Sequence, residues 1–465
     1  MIAQRREGRL ARVGLALAAW SERWFPDPLV IALLGVIVVF IVGVLSAVNP
    51  GRLVVEGGRN FWTLVPFTMQ MVMVIIGGHV VASTPAVRRL IQRLARVPSN
   101  SRSGIAWVAL FSMLTSLLSW GLSLIFSGLL VREMAGRIKG LDYRAASAAA
   151  YLGLGVSWAM GLSSSAAMLM ATKAAIPPSL LAISGSIPLS QTIFLLPSVL
   201  TTTILIGAAV SVAFLSAPSS ENARTANDYG ITPALTAEGI GHPVRPGEWL
   251  EYSPILSIMV AAMLAGYLVN LFRTSPNGAL AALDLNTYNL IFLVLGLLLH
   301  WRPINFLRSA IESIPSVGGV LLQFPFYAMI LGMIAGTGLS EKLARALSSI
   351  TSHQTFAVVV AAYSAGLGVF IPSGGSKWIV EAPYVLEAAV TNRVHLGWVV
   401  QIYNASEALP NLINPFWMLP LLGIVKLRAR DLAGYGMLQL LVLLPIVFFL
   451  CWLFSQTMEF VPPMK

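Results

Sequence analysis

The sequence contains few charged residues. Asp, Glu, Lys and Arg together make up 11% of its 465 positions, whereas about 25% is usual in a soluble domain. Hydrophobic residues make up 57%, so the chain has too little polar surface to cover a globular protein in water. This composition excludes a cytosolic enzyme and indicates a polytopic membrane protein.

Cysteine is almost absent, since the one residue of this type, Cys451, lies in an apolar run. A disulfide framework and a cysteine-ligated metal site are therefore excluded, and we expect no resident metal or cofactor. The sequence also lacks a Gly-rich loop ending in Gly-Lys-Ser or Gly-Lys-Thr, a His-Glu-x-x-His motif and a Gly-x-Ser-x-Gly motif. ATP hydrolysis, zinc proteolysis and the common serine hydrolase arrangement lose support, and we expect a protein that is not an enzyme.

Long apolar runs are abundant, and short polar connections separate them. A spanning helix needs about 20 apolar residues. Two apolar stretches, 104–135 and 354–390, are each interrupted near the middle by small residues. We expect them to form re-entrant hairpins, although each leg is also long enough to span fully. The other spans are predicted at 29–48, 61–83, 145–172, 190–215, 253–272, 285–301, 315–336, 396–425 and 434–457.

Basic residues exceed acidic ones by 11 and are unevenly distributed. If both hairpins return to the side from which they enter, most Lys and Arg residues fall on one side of the membrane. Arg5, Arg6, Arg9 and Arg12, near the N-terminus, belong to this side. By the positive-inside rule the basic side is the cytoplasm. We therefore expect a cytoplasmic N-terminus, and the basic excess requires no nucleic-acid partner.

The two halves of the chain resemble each other in sequence. A shift of 253 residues places Gly121 on Gly374, and a shift of 252 places Tyr151 on Tyr403. An odd number of predicted crossings separates equivalent spans, so the two halves have opposite orientations. An inverted-topology repeat of this kind is a feature of many secondary transporters.

The repeat divides the chain into four parts. Residues 1–215 form the first inverted repeat, 216–252 a polar cytoplasmic linker, 253–284 a connecting transmembrane helix, and 285–465 the second inverted repeat. Each repeat contains one re-entrant hairpin and one broken helix. The expected fold is thus an all-α polytopic membrane protein with two hairpins and two broken helices.

Small residues interrupt both hairpins at membrane depth. The first tip is Ser119–Ser123, and the second is Pro372–Trp378, which contains two glycines and a lysine. Non-helical backbone at this depth must be buried in protein or line a wet cavity. Because free N–H groups at helix starts favour anions, both tips are candidate binding segments. Tight helix–helix contacts are the alternative, since Gly and Ser also mark packing faces.

The span that follows each hairpin has its own interruption. It lies at Gly161–Ser165 in the first half and at Pro410–Pro415 in the second, where two prolines cannot sit in an unbroken helix. Four unwound segments around one cavity suit a small anionic or amphiphilic solute, with Trp120, Trp378 and Phe416 covering a short apolar tail. The candidate substrate-binding residues are Ser119, Trp120, Gly121, Ser123, Ser163, Ser164, Ser373, Gly374, Gly375, Ser376, Lys377, Asn411 and Asn414.

Ionisable residues at membrane depth are costly to bury and are therefore functional candidates. Glu407 lies beside the second break, and we expect it to carry a coupling proton. Its alternatives are a permanent ion pair with Lys377 and a neutral structural acid. Lys377 is expected either to hold a substrate carboxylate or to pair with Glu381 at the i+4 position. His79 is a second proton-coupling candidate, with an interhelical hydrogen bond as the alternative.

Four short motifs resemble those of a known family: Gly78–Ser83, Gln323–Tyr327, Pro372–Gly375 and Asn414–Trp417. Together they resemble the bacterial short-chain fatty acid transporter family over nearly the whole chain. The resemblance implies a carrier in the bacterial cytoplasmic membrane for short-chain monocarboxylates such as butyrate and acetoacetate, driven by proton symport. It also implies kinship with the ion-transporter superfamily, in which a transport domain makes an elevator-like shift and homodimers are common.

The sequence departs from the family pattern at the second tip. After the two glycines, family members carry a third glycine and a histidine, where this sequence has Ser376 and Lys377. Glu381 stands where they tend to carry an uncharged residue. A lysine–glutamate pair at this place can change the charge of the substrate, its size limit or the coupling ion.

Three other functions stay open from the sequence. A Na⁺-coupled carrier of another small carboxylate or of an amino acid would hold its ion on backbone carbonyls and the hydroxyls of Ser119, Ser163 and Ser373. A channel would use the broken helices as a filter, although filters usually lie on the axis of an oligomer. An intramembrane enzyme would use Ser373 as nucleophile and His79 as base, but the second tip lacks a nearby acid–base partner in sequence.

Overall fold

The apolar runs form helices, because a helix pairs its backbone N–H and C=O groups within one segment. The computed structural model describes residues 28–63, 65–171, 178–232, 244–275, 285–339, 349–370, 374–415 and 417–462, with a few isolated positions between and before them. The helices of the first half are α1 (Pro28–Leu45), α2 (Pro50–Asn60), α3 (Val65–Ala82), α4 (Pro85–Leu94), α5 (Ser101–Leu118), α6 (Trp120–Ala135), α7 (Tyr143–Leu152), α8 (Ser165–Ala171), α9 (Pro178–Ser184) and α10 (Leu196–Ser216).

The second half has the same helical character. Its helices are α11 (Trp249–Tyr252), α12 (Ile255–Thr274), α13 (Leu285–His300), α14 (Pro303–Ser313), α15 (Gly318–Ala335), α16 (Phe356–Phe370), α17 (Gly374–Thr391), α18 (Leu396–Ala408), α19 (Leu419–Val425) and α20 (Ala429–Thr457).

Length and composition allow several of these helices to cross a membrane. Among the described residues, five spans qualify, and a sixth is added if Thr68–Ala82 and Pro85–Leu94, which meet at 74°, form one bent span. Shorter apolar helices coincide with the predicted spans at 29–48, 285–301 and 315–336. The chain is therefore an all-helical, polytopic membrane protein.

Local sequence signals set the helix ends. Asn49 caps α2, and Thr84 caps α4, each followed directly by a proline that lacks the unneeded first N–H. At the start of α5, the Asn100 side chain accepts a hydrogen bond from Ser103 N at 3.0 Å. These caps separate the amphipathic helices α2 and α4, which the sequence did not predict, from the apolar spans beside them.

The described helices pack as two groups. Small residues allow close approach in the first group, where Gly57 of α2 packs against Met329 and Met333 of α15. In the second group, every residue of α7 and α18 is buried, so these two helices form its centre. The first group contains α1 to α4 and α11 to α15, and the second contains α5 to α10 and α16 to α20.

The two groups meet where α3 and α4 pack on α6. A Cβ atom at Gly121 of α6 would overlap Val74 of α3, and a Cβ at Gly78 would lie 3.2 Å from the carbonyl oxygen of Gly121. Glycine at both positions therefore lets the two backbones approach closely. Phe324 of α15 adds an edge-to-face contact with Trp417, with ring centroids 6.1 Å apart.

The stretch predicted as a linker contacts the second group. Arg224 N donates to Asp142 Oδ2 at 3.0 Å, and Tyr143 N donates to the Arg224 carbonyl oxygen at 2.8 Å. Arg132 Nη2 donates to the Thr232 carbonyl oxygen at 3.2 Å. These bonds fix residues 217–232 against the end of α6 and the start of α7, while 233–243 lie outside the described residues.

Candidate functional site

Both stretches that the sequence predicts as hairpins are interrupted near the indicated positions. In the first, Ser119 has an extended backbone (φ −155°, ψ 119°) and separates α5 from α6. In the second, α16 ends at Phe370 and α17 begins at Gly374. These two helices contact each other, since the Tyr363 and Tyr384 hydroxyls lie 2.9 Å apart. The candidate Ser373 lies outside the described residues, as does the side chain of Ser376.

The backbone at the second tip lies directly against a tyrosine and a tryptophan. Tyr403 OH donates a hydrogen bond to the Gly374 carbonyl oxygen at 2.6 Å. A Cβ at Gly374 would lie 2.6 Å from Trp158 Cη2 and 3.3 Å from Glu407 Oε2. A side chain at this position would displace the tryptophan ring, so glycine allows the tip to approach the two broken spans.

Lys377 lies one turn into α17 and is fully buried. Its Nζ donates to the Ser364 carbonyl oxygen at 2.7 Å and lies 3.6 Å from Glu381 Oε1. The ammonium group also lies 4.8 Å from the centroid of the Tyr403 ring, within range of a cation–π contact. Lys377 thus has a carbonyl, a carboxylate and an aromatic face around its charge.

Glu381 is equally buried and connects the two legs of the second hairpin. Its Oε2 accepts a hydrogen bond from Ser364 Oγ at 2.7 Å, while Oε1 faces Lys377. Ser364 therefore contacts both charged residues, through its carbonyl oxygen and its hydroxyl. The i+4 pairing of Lys377 with Glu381 that the sequence offers as one alternative is present in the structure.

Glu407 lies on α18 and is 2% exposed. Its Oε2 has no hydrogen-bond partner among the described residues. The charges of Lys377 and Glu381 both act on it, and a Cβ at Gly368 would lie 3.5 Å from Lys377 Nζ and 3.6 Å from the Glu407 carbonyl oxygen. We name Lys377, Glu381 and Glu407 the acid–lysine cluster.

Buried amides extend this polar region along the second broken span. Asn404 lies on α18 three residues before Glu407, and Asn411 lies four residues after Glu407 in the 3-10 turn that follows α18. Asn404 Nδ2, both amide atoms of Asn411 and both of Gln401 have no hydrogen-bond partner among the described residues. Asn414 Nδ2 donates to the Val369 carbonyl oxygen at 3.1 Å, near the end of α16. Buried amides of this kind can bind a polar ligand or water.

Sequence reasoning missed five of these residues: Trp158, Ser364, Gln401, Asn404, and Tyr403 as a site residue. Gln401, Asn404 and Glu407 are spaced by three residues within an otherwise apolar span, so a polar stripe was visible. Trp158 carried no such signal, because its place beside Gly374 depends on contacts between the two halves.

The first tip is held by hydrogen bonds to the first broken span. Trp120 N donates to Ser163 Oγ at 3.0 Å, and the same hydroxyl donates to the Ser116 carbonyl oxygen at 2.9 Å. Leu162 N donates to the Leu117 carbonyl oxygen at 2.8 Å. These hydrogen bonds pair part of the non-helical backbone of both segments within the protein.

The other candidates near the first tip also have partners within the protein. Ser119 Oγ accepts from Leu122 N at 3.5 Å as the cap of α6. Ser123 Oγ donates to the Ser112 carbonyl oxygen at 2.7 Å. Ser164 Oγ accepts from Ala167 N at 3.1 Å at the start of α8.

The four breaks lie close together. Ser163 contacts the first tip, and a Cβ at Gly375 of the second tip would lie 3.3 Å from Ser165 Cβ. The broken spans cross where a Cβ at Gly155 would overlap the Leu412 side chain. Around Gly155 the first broken span forms a π turn (Gly153–Ser157), which accommodates this crossing.

Aromatic rings flank this region on two sides. Trp378 and Tyr403 have centroids 4.6 Å apart beside Lys377. Trp120 and Trp417 meet at 5.2 Å beside the first tip. Phe416, the third aromatic candidate, lies outside the described residues.

His79 has a different environment from the acid–lysine cluster. Its Nε2 lies 3.6 Å from Glu312 Oε2 on α14. His300 of α13 lies near His79 and Glu312. Its Nε2 lies 2.7 Å from the Val80 carbonyl oxygen. The described polar contacts of His79 thus belong to the first helix group.

Comparison with known proteins gives a family match over most of the chain. The family model described as "Short chain fatty acid transporter" matches residues 9–454. A relative from Escherichia coli named "Putative short-chain fatty acid transporter" is 31% identical over 439 residues, covering 93% of this chain and 97% of the relative. One of the same name from Haemophilus influenzae is 30% identical over 444 residues, covering 94% and 98%.

Two solved structures are similar at low identity. The Alcanivorax borkumensis YdaH transporter is 14% identical with a TM-score of 0.49, covering 94% of this chain and all of that one. Neisseria gonorrhoeae MtrF, described as illuminating a class of antimetabolite efflux pumps, is 13% identical with a TM-score of 0.48, covering 97% and 99%. The classification therefore depends on the family model and the two curated relatives.

Proposed function

Because the chain belongs to the short-chain fatty acid transporter family, we propose that it is a secondary carrier that moves a short-chain monocarboxylate, such as butyrate or acetoacetate, together with a proton. The relatives are named as transporters and not as enzymes. The observation that supports this proposal most is the buried Lys377, which lies with two carboxylates where the four helix breaks meet.

The substrate's carboxylate binds Lys377, whose ammonium group has three donors of which one goes to Ser364. The amides of Asn404 and Asn411 supply further hydrogen bonds, because they have no protein partners in the described part of the chain. Trp378 and Tyr403 cover the short apolar tail. A small site with few polar groups and aromatic walls suits an amphiphilic solute of this size.

Glu407 binds the coupling proton. Its Oε2 receives no hydrogen bond from the described residues and lies in a fully buried region, where a neutral carboxyl group is less costly than a charged one. Glu407 is also close to the substrate-binding lysine, so its protonation and the binding of an anion affect each other directly.

The second helix group moves against the first as an elevator-like transport domain. The packing into two groups that meet where α3 and α4 lie on α6 supports this proposal, because each group can move as one body. An inverted repeat, as the sequence predicts, would supply the two related conformations that alternating access requires.

The excess of Lys and Arg on one side supports a cytoplasmic N-terminus and linker in a bacterial cytoplasmic membrane. Arg132 and Arg137 lie near the end of α6 that faces residues 217–232. Arg224 lies within 217–232 and contacts the second group beside them. Clustered basic residues of this kind indicate the cytoplasmic face.

Uptake of radiolabelled butyrate into proteoliposomes tests the proposed function. We expect an inward proton gradient to drive uptake in the wild type and in Glu387→Gln, since Glu387 is exposed on α17. Glu407→Gln should lose gradient-driven uptake and keep exchange of internal for external butyrate. Absence of butyrate uptake and exchange in the wild type under any gradient would contradict the proposal.

Sodium coupling is the second candidate. It is favoured by the side-chain oxygens of Gln401, Glu407 and Asn411, which have no hydrogen-bond partner among the described residues, because Na⁺ binds oxygen ligands. Uptake that follows a sodium gradient at fixed pH, and ignores a proton gradient, would replace the proton by Na⁺ in the proposed mechanism.

A further inference from the structure

Lys377 has a protein counter-ion in this structure. Its Nζ lies 3.6 Å from Glu381 Oε1, and both side chains are fully buried. A substrate carboxylate that binds Lys377 must therefore compete with Glu381. We propose that Glu381 is a resident counter-ion that sets the affinity and proton dependence of carboxylate binding, and that the substrate displaces it from Lys377 when Glu407 takes up a proton. This inference rests on the proposed function.

The charges of the acid–lysine cluster explain why a proton is needed. With all three groups ionised, one positive and two negative charges leave a net charge of minus one in a buried region. A bound monocarboxylate alone would make the net charge minus two, which is costly away from water. If Glu407 binds a proton at the same time, the net charge does not change, so the anion and the proton enter together.

Glu381 is the carboxylate that can lose its contact with Lys377 at the smaller cost. Its Oε2 keeps the hydrogen bond from Ser364 Oγ, at 2.7 Å, after the lysine is withdrawn. Lys377 also keeps its bond to the Ser364 carbonyl oxygen and turns a second N–H group towards the ligand. Glu407, by contrast, loses no hydrogen bond at Oε2 when this oxygen is protonated, because none is present among the described residues.

Among the residues that the structure describes, the other titratable groups that face the cluster are phenols. Tyr363 of α16 and Tyr384 of α17 lie near Glu381, and Tyr403 of α18 lies near both carboxylates. Phenols are uncharged near neutral pH, and the Tyr403 hydroxyl already donates to Gly374. In the described part of the chain, a response of binding to pH near neutrality therefore arises from the two carboxyl groups.

Calorimetric titration of butyrate into the purified, full-length protein tests the proposal. Between about pH 5.5 and 7.5, uptake of one proton per anion predicts that wild-type affinity rises about tenfold for each unit by which the pH falls. Glu381→Gln removes the competing charge, so we expect butyrate to bind about tenfold more tightly at the upper end of this range. The affinity of this variant should also depend much less on pH. When Glu381→Gln binds butyrate without a proton, the net charge of the cluster becomes minus one, which is the value of the ligand-free wild type.

Two controls make the expected gain specific. Glu387→Gln, which removes an exposed carboxylate from the same helix, should bind butyrate as the wild type does. Butyramide, which lacks the carboxylate, should gain no affinity from Glu381→Gln.

Ser364→Ala provides a second variant, because it removes the donor that retains Glu381 and leaves the carbonyl contact of Lys377 in place. We expect it to weaken butyrate binding.

Each result separates the inference from the function on which it rests. If the wild type binds butyrate with proton uptake and Glu381→Gln leaves affinity and pH dependence unchanged or weakens binding, Glu381 is a structural partner and the inference is wrong. A gain of affinity in Ser364→Ala would also overturn it. If the folded wild type binds no butyrate at any pH tested, the proposed function fails and the inference fails with it.

Discussion

At the first hairpin tip, hydrogen bonds within the protein satisfy the candidate groups, whereas at the second tip charged and amide groups are buried with few partners. Ser163 links the first tip to its broken span by two hydrogen bonds. At the second tip, Lys377 and Glu381 are fully buried, and Glu407 and Asn411 have polar atoms without partners among the described residues.

This difference is informative because the sequence aligns the two tips. The shift that places Gly121 on Gly374 also places Leu124 on Lys377. Gly121 packs against α3 of the first group, while Gly374 packs against Trp158 and Glu407. Equivalent glycines thus allow close approach in both hairpins, but one approaches a helix of the neighbouring group and the other approaches ionisable groups. We infer that the first tip stabilises the arrangement and the second carries the binding chemistry.

Substitution of the aligned residues Lys377 and Leu124 by methionine should produce the largest contrast. Lys377→Met leaves Glu381 buried without its cationic partner, and removal of one partner from a buried pair costs about 3–5 kcal/mol. We expect loss of butyrate binding and a lower unfolding temperature, measured by calorimetry and by thermal unfolding. Leu124→Met conserves volume in an apolar environment, should cost less than about 1.5 kcal/mol, and should keep binding. Equal losses of binding in both variants would contradict a division of roles between the tips.

Substitution of the two aligned glycines by alanine should have an effect of intermediate size. We expect Val74→Ala to restore one of these variants and not the other. Gly121→Ala overlaps Val74, and overpacking of this kind costs about 1–3 kcal/mol. We expect reduced proteoliposome uptake, restored by Val74→Ala in the double variant. Gly374→Ala meets Trp158 and Glu407 instead, so Val74→Ala should not restore it. Rescue of both glycine variants, or of neither, would show that the two tips do not differ in their packing partners.

The sequence predicted the positions of the helix breaks well, because they depend on local chemistry. The predicted first tip, Ser119–Ser123, contains the observed break, and the prolines of Pro410–Pro415 mark the end of regular helix in the second broken span. The helices α2, α4 and α14 were missed as elements because their charged residues exclude them from a search for apolar runs.

Partners across the chain could not be predicted from local patterns. Glu407 and Lys377 stood out because charge at membrane depth is rare. Their neighbours Ser364 and Trp158 depend on how α16 and the first broken span pack on α17 and α18. The contact of His79 with Glu312 likewise joins residues far apart in sequence, so the spacing around His79 contained no sign of it.

The smallest effect on butyrate binding is expected for Ser163→Ala. This variant distinguishes a structural serine from one that binds the substrate. This variant leaves Trp120 N and the Ser116 carbonyl oxygen without their hydrogen bonds to the hydroxyl, which should lower the free energy of unfolding by about 1–3 kcal/mol. Butyrate affinity and its dependence on pH should stay at wild-type values when measured well below the unfolding temperature, because no charge of the acid–lysine cluster changes. Ser164→Ala is a suitable control, since it removes only the cap of the short helix α8 and should cost about 1 kcal/mol. A tenfold or larger loss of affinity in Ser163→Ala, without a lower unfolding temperature, would mean that Ser163, beside the first tip, binds the carboxylate directly. The substrate would then be bound from the regions of both tips, and the charges at the second tip would set only the proton dependence of binding.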